Sequence, residues 1–430
     1  MKKLFVKDLK DMADESVTVK GWIHKIRKMK GFAFVILRDK SGLVQLVIDE
    51  GEMLEAIAHE TTVEVSGLVG KNPKAPMGVE VVVKDLKVLG KAHYDLLPFA
   101  INGRDIDATL EKQLDHRHLS MRRADRRAIF TVQAEIVEGF RQFLRSQSFA
   151  EIHTPKIIAS ETEGGSEVFT VDYFGKRTFL AQSPQFYKQM MVGAGFERVF
   201  EIGHAYRAEL HSTWRHLNEY VSLDVEMGFI DDEYDLMELE EDLLKFILSH
   251  LEKSCQAELE LLKVDLPKID KIPRMPLEEA RDLLLEEFGH PSPKGNIDAD
   301  GEKILAKFIK EEYGSDFVFL TKYPAAKRPA YTMPDEDHEG MTKSFDLIFK
   351  GLEITTGGQR IHDYEMLVKS FEDAGIDPKA IDFYIESFRY GMPPHGGFAI
   401  GLERITMMIL GLDNIRHATI LPRDLNRVTP

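Results

Sequence analysis

Residues 200–229 have the sequence FEIGHAYRAELHSTWRHLNEYVSLDVEMGF, in which two strand-like runs flank a polar loop. The loop concentrates charged and imidazole side chains, namely Arg207, Glu209, His211, Arg215, His216 and Glu219. Such a loop can wrap a triphosphate, and the planar fork of Arg207 can bridge a carboxylate and an α-phosphate. Judged on residue types alone, a solvated hairpin with paired surface charges explains the segment equally well.

A second segment, residues 344–362 (SFDLIFKGLEITTGGQRIH), carries oxygen ligands suited to a divalent cation. Asp346 and Glu353 lie seven residues apart, so a single extended strand would point them to opposite faces. A shared ion would therefore need a bend or bulge between them. Glu353 and Thr356, three apart around an expected turn, are the closer candidates for Mg²⁺, which prefers oxygen ligands. A glycine-rich hairpin without a metal is the alternative.

Two glycine-rich stretches can bring the backbone close to a ligand. Gly357 and Gly358 precede Arg360, a potential carboxylate clamp. Residues 396–405 (GGFAIGLERI), taken as a loop before an apolar helix, place small residues ahead of Arg404, whose guanidinium can then lie flat on a base. This loop is not a Walker loop, because no Gly-Lys-Ser/Thr follows, and not a Rossmann fingerprint, because no βαβ unit surrounds it.

Residues 182–189 (QSPQFYKQ) predict a helical turn. Gln185 and Lys188 are three residues apart and would project from the same side of that turn. Lys188 can then read an anionic side chain. Taken by itself, however, the segment fits an ordinary surface lysine better.

The front of the chain predicts a separate module. Strand-like runs at 16–23, 32–38 and 43–48, a helical stretch at 51–59 and two more strands at 62–68 and 79–88 follow the order of an OB-fold. This small barrel often binds single-stranded nucleic acid. Residues 1–100 have a net charge of +2, whereas the whole chain has −16, so the acidic excess lies in the body.

The body of the chain predicts a mixture of helices and strands. Helical periodicity is expected at 127–146, 232–251, 277–288, 301–313, 364–374 and 378–390. The polar stretch 96–125 is interpreted as a hinge, which gives an OB-fold domain at 1–95 and a larger domain at 126–430. Residues 262–345 are expected to be an insertion of helices and loops within the larger domain.

The composition predicts a cytoplasmic protein with no membrane span. The chain of 430 residues has no run of 18 apolar residues, and its start, MKKLFVKDLK, lacks an apolar core of signal-peptide length. Its single cysteine, Cys255, excludes an internal disulfide and fits a reducing compartment.

Taken in order, these segments resemble the class II aminoacyl-tRNA synthetases, specifically the aspartate enzymes of the archaeal and eukaryotic type. The likeness runs from the barrel to the C-terminal PRDLNRVTP. It implies an α+β fold, in which an N-terminal OB-fold β-barrel reads the anticodon and a catalytic domain has an antiparallel sheet flanked by helices. It also implies a homodimer, with Pro155 of the first family motif (129–158) at the interface.

The resemblance implies roles for the residues around ATP. The expected ATP-binding residues are Arg207, Glu209, Arg215, His216, Leu217, Tyr220, Glu353, Gly401 and Arg404. Arg207 and Arg404 would be the catalytic residues: Arg207 would hold the α-phosphate and the amino acid carboxylate, and Arg404 would stack on the adenine opposite Tyr220. Glu353 and Thr356 would hold Mg²⁺, and Asp346 matches another acidic position near the metals. The family more often has serine at the position of Thr356, and either residue supplies a hydroxyl.

The resemblance also implies an L-aspartate site. Lys188 and Arg360 match the pair that reads the side-chain carboxylate, and two cations would discriminate against asparagine, whose neutral amide leaves both unpaired at a cost of roughly two decades or more in rate. Asparagine-specific relatives usually lack this lysine, and usually have threonine where Asp424 stands. The remaining expected aspartate-binding residues are Gln185, Asp224 and Glu163 around the α-amino group, with Arg207 and Thr356. Glu163 lies in TEGGSEVF, which resembles a mobile loop.

Recognition of tRNA is expected in the N-terminal domain. Phe34 is suited to stacking on an anticodon base, although it can equally be barrel core, and Gln45 and Glu80 can read base edges. His24 and Pro76 stand where family members restricted to tRNA(Asp) typically have tryptophan and lysine. This favours an enzyme that also charges tRNA(Asn) and supplies an amidotransferase.

Three other interpretations fit parts of the sequence. One is an asparagine enzyme on the same scaffold, and another is a non-catalytic RNA-binding protein derived from a synthetase. The third is a tRNA-independent asparagine synthetase, against which the OB module argues. Retention of Arg207, Glu353 and Arg404 together argues against the non-catalytic protein, since a retired site has no need of all three.

Overall fold

The computed structural model describes residues 4–94, 96–103, 105–160 and 167–430. The chain divides into two units, Met1–Ala124 and Asp125–Pro430, and each is described by itself. Within the described ranges, no helix is both long enough and apolar enough to cross a membrane.

The first unit contains the predicted OB-fold. Its strands are β1 (Ser16–Lys28), β2 (Phe32–Arg38), β3 (Leu43–Asp49), β4 (Thr62–Lys71) and β5 (Val79–Gly90), with the short helix α1 (Glu52–Glu55) after β3. They close into a barrel in the order β1-β2-β3-β5-β4. Alternate apolar residues of each strand fill the barrel, because successive side chains of a strand point to opposite faces.

The stretch predicted as a hinge has structure of its own. It contains α2 (Leu110–Asp115) and α3 (Arg117–Ser120), and both belong to the first unit. Phe99, Ile101 and Leu119 are buried together in a small apolar cluster. The hinge and the domain bounds inferred from the sequence remain predictions.

The second unit is organised around an eight-stranded sheet. The strands of this unit, which belong to the main sheet and a smaller second one, are β6 (Ala150–Glu151), β7 (Ile157–Ile158), β8 (Thr170–Tyr173), β9 (Lys176–Leu180), β10 (Arg198–Tyr206), β11 (Glu219–Gly228), β12 (Arg274–Pro276), β13 (Phe317–Thr321), β14 (Ser344–Phe349), β15 (Leu352–Arg360) and β16 (His395–Gly401). The main sheet has the order β12-β13-β14-β15-β16-β11-β10-β6, and β7-β9-β8 form a small second sheet. The six central strands are antiparallel, as predicted, while β6 and β12 pair in parallel at the two edges.

Helices surround this sheet. They are α4 (Ala124–Ser146), α5 (Gln185–Met191), α6 (Glu233–Ser254), α7 (Gln256–Leu262), α8 (Leu277–Phe288), α9 (Ala299–Tyr313), α10 (Tyr364–Asp373), α11 (Asp382–Ile385) and α12 (Leu402–Leu410). Apolar residues of α4 and α6 pack with those of β10, β11, β14 and β16 in the largest core cluster. These two helices therefore cover one face of the sheet, called here the back face, and leave the other for a site.

Three elements differ from the sequence-based expectation. The glycine-rich loop at 396–405 is instead strand β16 followed by α12; a side chain at Gly397 would meet the carbonyl oxygen of Val225 on β11, so the glycine is required by the sheet. The helix expected at 378–390 is instead α11 flanked by 3-10 turns, and Tyr384 and Phe388 of this stretch are buried in a core with Phe186. The insertion at 262–345 contributes β12 and β13 to the main sheet, as well as helices and loops.

Candidate active site

Two adjoining cavities lie on the sheet face opposite α4 and α6. The first is about 690 Å³ and the second about 580 Å³. The residues that line both, and so join them, are Arg207, Tyr220, Ser222, Thr356 and Ala399. The loop between β10 and β11, strand β15 and the start of α12 all contribute to the first cavity.

The first cavity is lined by every residue predicted from the sequence to bind ATP. These are Arg207, Glu209, Arg215, His216, Leu217, Tyr220, Glu353, Gly401 and Arg404. The guanidinium of Arg207 lies 5.7 Å from the ring centre of Tyr220. Burial, followed by the charges of Arg404 and Arg215, lowers the pKa of His216 to about 4. His216 is therefore neutral at pH 7, and the positive charge facing the cavity comes from arginine.

The polar loop is fixed at its base by a residue that the sequence did not single out. Asn218 donates hydrogen bonds to the carbonyl oxygens of Arg207 (2.6 Å) and Glu209 (3.0 Å). Its own N–H donates to the carbonyl of Arg423 in the C-terminal segment. Asp424 accepts a 2.6 Å hydrogen bond from Arg416, which also donates to the carbonyl of Thr213 in the loop. Asp424 thus supports the loop and lines neither cavity.

The predicted metal ligands lie on a hairpin rather than on one strand. Lys350 and Gly351 form the turn between Asp346 on β14 and Glu353 on β15, and Asp346 pairs across the hairpin with Thr356. Glu353 and Thr356 lie three residues apart on one strand and not around a turn, so regular alternation would point them to opposite faces. The extra residue Ile354 interrupts the pairing with β14 and puts both side chains on the same face. A bend or bulge between Asp346 and Glu353 was expected for a shared ion, and the hairpin turn is a bend of this kind.

Asp346 is more deeply buried than the other two candidates, although it pairs across the hairpin with Thr356. Thr356 donates a 3.2 Å hydrogen bond to Glu353, and both line the first cavity. Asp346 lines neither cavity; it is buried and accepts a 2.8 Å hydrogen bond from Arg328. Among the described residues there is no cluster of three or more His, Cys, Asp or Glu that could hold a metal. Glu353 and Thr356 still fit Mg²⁺, because this ion commonly takes one or two protein oxygens and completes its shell with phosphate and water.

The second cavity contains the predicted cationic pair in an ionic cluster. Lys188 is 2% exposed, so it is not the surface lysine that its local sequence favoured. It donates to Asp224 at 3.0 Å and lies 3.3 Å from Glu226, while Arg360 donates to Glu226 at 3.2 Å. Lys188 and Arg360 therefore converge on one buried carboxylate. Burial opposes ionisation there, but the charges of Arg360 and Lys188 hold the pKa of Glu226 below its usual range.

Glu226 is the central residue that sequence reasoning missed. It lies two residues after Asp224 on β11, so strand alternation points both carboxylates to the same face and could have identified it. Gln185 donates to Glu226 and accepts from Arg360, both at 3.4 Å. The insertion also contributes to this cavity, through Arg328, Pro329, Tyr331 and Thr332. The predicted contact Glu163 lies outside the described residues.

The glycine pair of β15 has a packing role. Gly357 lines the second cavity, but a Cβ atom there would lie 2.5 Å from the ring of Phe345, which belongs to the back-face core. At Gly358 the obstacle would be the carbonyl oxygen of Lys343, at 2.8 Å. The sheet therefore requires both glycines whether or not a ligand approaches them.

In the first unit, the three predicted anticodon residues share the outer face of the barrel. Phe34 alternates with the buried Ala33 and Val35 on β2 and is not part of the barrel core. Gln45 and Glu80 are paired across β3 and β5, and the amide of Gln45 donates to Glu80 at 2.8 Å. Asn72, which the sequence did not single out, donates to the same carboxylate at 2.7 Å.

The two residues tied to tRNA choice also have defined surroundings. His24 lies at an irregularity in the β1–β2 pairing and accepts a 2.8 Å hydrogen bond from Arg38. Burial and the charge of Arg38 lower the pKa of His24 to about 4, so it is neutral at pH 7. Pro76 begins the 3-10 turn Pro76–Gly78 between β4 and β5.

Comparison with known proteins agrees with this arrangement. Residues 109–425 match the family described as tRNA synthetases class II (D, K and N), and residues 17–89 match an OB-fold nucleic acid binding domain. Proteins named aspartate–tRNA(Asp/Asn) ligase from Deinococcus radiodurans and Thermus thermophilus are each 47% identical, over 100% of this chain and 99% and 100% of their own lengths. A Pyrococcus abyssi aspartate–tRNA(Asp) ligase is 38% identical over 98% of this chain and 97% of its own.

Solved structures of tRNA synthetases also match the whole chain. Asparaginyl-tRNA synthetase from Pyrococcus horikoshii, complexed with asparaginyl-adenylate, has a TM-score of 0.92 at 29% identity and full coverage of both chains. Aspartyl-tRNA synthetase from Entamoeba histolytica has a TM-score of 0.88 at 33% identity, over 100% of this chain and 93% of that one. Because this family matches residues 109–425, most of the chain, the chain belongs to the class II tRNA synthetases of the aspartate, lysine and asparagine group.

Proposed function

We propose that the protein activates L-aspartate with ATP and ligates it to tRNA(Asp) through an aspartyl-adenylate. The observation that carries this proposal is the convergence of Lys188 and Arg360 on Glu226, in a cavity that shares Arg207 with the cavity lined by the ATP-site residues. The amino acid follows from a charge balance in the second cavity.

Without substrate, the cluster of Lys188, Arg360, Asp224 and Glu226 carries two positive and two negative charges. Aspartate adds an ammonium group, which pairs with Asp224, and a side-chain carboxylate, which takes the place of Asp224 beside Lys188. Every charge then keeps a partner. Asparagine lacks the carboxylate and would leave one buried positive charge without compensation, which disfavours it by roughly two decades or more. The two cations alone would leave two such charges, and Glu226 reduces the number to one.

The first step is an in-line displacement at phosphorus. The α-carboxylate oxygen of aspartate attacks the α-phosphorus of ATP, the bond from phosphorus to the bridging oxygen breaks, and pyrophosphate leaves with the electron pair. Arg207, at the junction of the cavities, contacts both reacting groups, and Arg404 holds the adenine against Tyr220. Glu353 and Thr356 would hold Mg²⁺, which would stabilise the charge on the phosphate oxygens. Positioning and fixed charge drive the step, so no protein nucleophile is required.

The second step transfers aspartate to tRNA. The 3′-hydroxyl of the terminal adenosine attacks the carbonyl carbon of the mixed anhydride, and AMP leaves. The anticodon is read on the outer face of the barrel, where Phe34 stacks on a base and Gln45 and Glu80 contact base edges.

We infer that tRNA(Asn) is charged as well. Relatives named as ligases for both tRNAs are 40–47% identical to this chain, whereas those named for tRNA(Asp) alone are 37–38% identical. His24 and Pro76 support the same conclusion. The product on tRNA(Asn) would then pass to an amidotransferase. The proposal also includes a cytoplasmic homodimer, with Pro155 and its motif at the interface.

The fold alone does not choose between aspartate and asparagine, because an asparaginyl enzyme and an aspartyl enzyme match it with TM-scores of 0.92 and 0.88. Aspartate-dependent and asparagine-dependent ATP–pyrophosphate exchange will separate the two. We expect exchange with aspartate only. Exchange with asparagine alone would refute the assignment.

Aminoacylation of purified tRNA(Asp) and tRNA(Asn) transcripts with labelled aspartate tests the tRNA range. We expect both to be charged. Charging restricted to tRNA(Asp) would refute the relaxed specificity and leave the amino acid assignment standing.

A further inference from the structure

Helix α9 belongs to the insertion at 262–345. The reaction described above assigns no part to this helix. Two of its residues contact the walls of the ATP cavity. Glu302 accepts a 2.8 Å hydrogen bond from Arg215 of the β10–β11 loop. Lys303 lies against the turn of the β14–β15 hairpin, where a Cβ atom on Gly351 would come within 2.9 Å of the Lys303 Cα atom. The helix is therefore wedged between the loop and the hairpin that carries Glu353.

The contact between Glu302 and Arg215 is largely removed from water. Glu302 is 7% exposed, and its side chain projects from the first turn of a helix whose N-cap, Asp298, accepts from Gly301. Arg215 has 23% of its side chain exposed and lines the cavity. Because a carboxylate on a capped helix is held rigidly, it can fix the orientation of a long, flexible side chain.

One guanidinium nitrogen of Arg215, Nη1, makes this contact. Arginine has five N–H donors in a planar fork, so anchoring one side of the fork orients the remainder. In the described part of the chain, Arg215 makes no second ion pair. The other N–H donors of Arg215 therefore have a fixed orientation, and Arg207 and Arg404 line the same cavity.

We propose that Glu302 is a positioning residue for ATP: it anchors Arg215 so that the guanidinium is preorganised to contact the triphosphate. The insertion therefore completes the nucleotide site of this enzyme. The inference rests on the proposed function for its choice of ATP as the ligand, and it does not depend on which amino acid is activated.

The test compares Glu302→Gln with Asp300→Asn, which removes a carboxylate from the same helix at an exposed pair with Lys303. We expect Glu302→Gln to raise the KM for ATP by about 3- to 10-fold, the effect of leaving one long side chain to be ordered on binding. The kcat and the KM for the amino acid should be unchanged, and Asp300→Asn should behave as wild type. Glu302→Asp keeps the charge and should show a smaller increase.

A double-mutant cycle with Arg215→Lys identifies the route of the effect. Since Glu302 acts through Arg215, Glu302→Gln should add little to the KM for ATP once Arg215 has been replaced. An unchanged or lowered KM for ATP, equal increases for ATP and amino acid, or full additivity would each overturn the proposal. Glu302→Asp keeps the test available if Glu302→Gln does not fold.

Binding of MgATP alone, measured by calorimetry, separates this proposal from the proposed function. If the wild-type enzyme exchanges pyrophosphate with asparagine or lysine and not with aspartate, the aspartate assignment is refuted. The MgATP binding of the variants can still be compared. Wild type that binds no MgATP would refute both. Weaker MgATP binding in Glu302→Gln than in Asp300→Asn is the supporting result.

Discussion

Lys188 is a buried cation of the second cavity. It lies between Asp224 and Glu226, both of which are almost fully buried. Replacing it with methionine keeps the volume but removes the cation that contacts both buried carboxylates. We expect Lys188→Met to lower aspartate-dependent pyrophosphate exchange roughly 100-fold or more, because the side-chain carboxylate would meet uncompensated negative charge. The KM for ATP should be unchanged.

The same change should destabilise the catalytic unit by about 3–5 kcal/mol, the usual effect of removing one partner from a buried ion pair. Lys369→Met is the matched control, since Lys369 pairs with Asp373 on the exposed side of α10 and its loss should be undetectable. A Lys188→Met enzyme with wild-type exchange rates would show that the cluster does not read the substrate.

At the level of residues, the sequence identified the cavity linings and missed their supports. Arg207, Glu353 and Arg404 could be found because their motifs occur in family order, and all three line one cavity. Glu302 could not, because a carboxylate that touches a site residue from another helix has no local sequence signature. Glu226 was overlooked, although strand alternation after Asp224 on β11 could have identified it. Asp346, expected near the metals from its position in a motif, accepts a hydrogen bond from Arg328, and its part at a metal site stays a prediction.

Among the elements, helix α6 carries a buried carboxyl group, that of Glu240, against the back face of the sheet. Glu240 is fully buried, accepts a 2.6 Å hydrogen bond from Thr355 of β15, and has its pKa raised to about 8, first by burial and then by the nearby Asp346. In the unfolded chain its pKa is about 4.5. The folded protein therefore keeps a proton that the unfolded chain releases between these two values.

The sign of the resulting pH dependence follows directly. A carboxyl group whose pKa is raised on folding stabilises fully below its unfolded pKa, and that contribution is lost as the pH rises toward the folded pKa. Glutamine at this position does not titrate. We expect Glu240→Gln to become progressively more stable than wild type from pH 5 to pH 8, by at most about 1.4 kcal/mol per pH unit, and the difference to level off above pH 8.

Tryptophan fluorescence can follow this transition in the catalytic unit alone. The chain has two tryptophans, Trp22 in the first unit and Trp214 in the second. In a Trp22→Phe background, urea unfolding monitored at Trp214 would report the unit that contains Glu240. A stability difference that stays constant across this pH range would mean that Glu240 is ionised in the folded protein.

The elements themselves were mostly predictable, and their irregularities were not. The amphipathic pattern of α4 and the Asp232 cap of α6 are local signals that the fold uses directly. The β14–β15 hairpin has a local turn at Lys350 and Gly351, yet its bulge at Ile354 depends on how the two strands pair. Strand β16 lies between β11 and β15, where the space at Gly396 and Gly397 permits only glycine, so the start of the strand resembles a loop in composition.

On the scale of the whole molecule, the proposed function divides the reaction between the two units. It assigns amino acid activation to the cavities of the second unit and expects tRNA charging to require the barrel of the first as well. Phe34 tests this division, since it lies on the outer face of the barrel beside Phe32, with ring centres 5.1 Å apart. Loss of one base-stacking partner costs about 1–3 kcal/mol. We therefore expect Phe34→Ala to raise the KM for tRNA about 10-fold or more.

The decisive readout is the contrast between two assays on the same variant. ATP–pyrophosphate exchange by Phe34→Ala should equal that of wild type, because the barrel core beneath it, built from Ala33, Val35 and their neighbours, is left intact. Leu89→Ala, at an exposed apolar position at the end of β5, controls for loss of surface area and should alter neither assay. Reduced exchange would mean that the substitution disturbs the fold. An unchanged KM for tRNA would mean that Phe34 does not stack on an anticodon base.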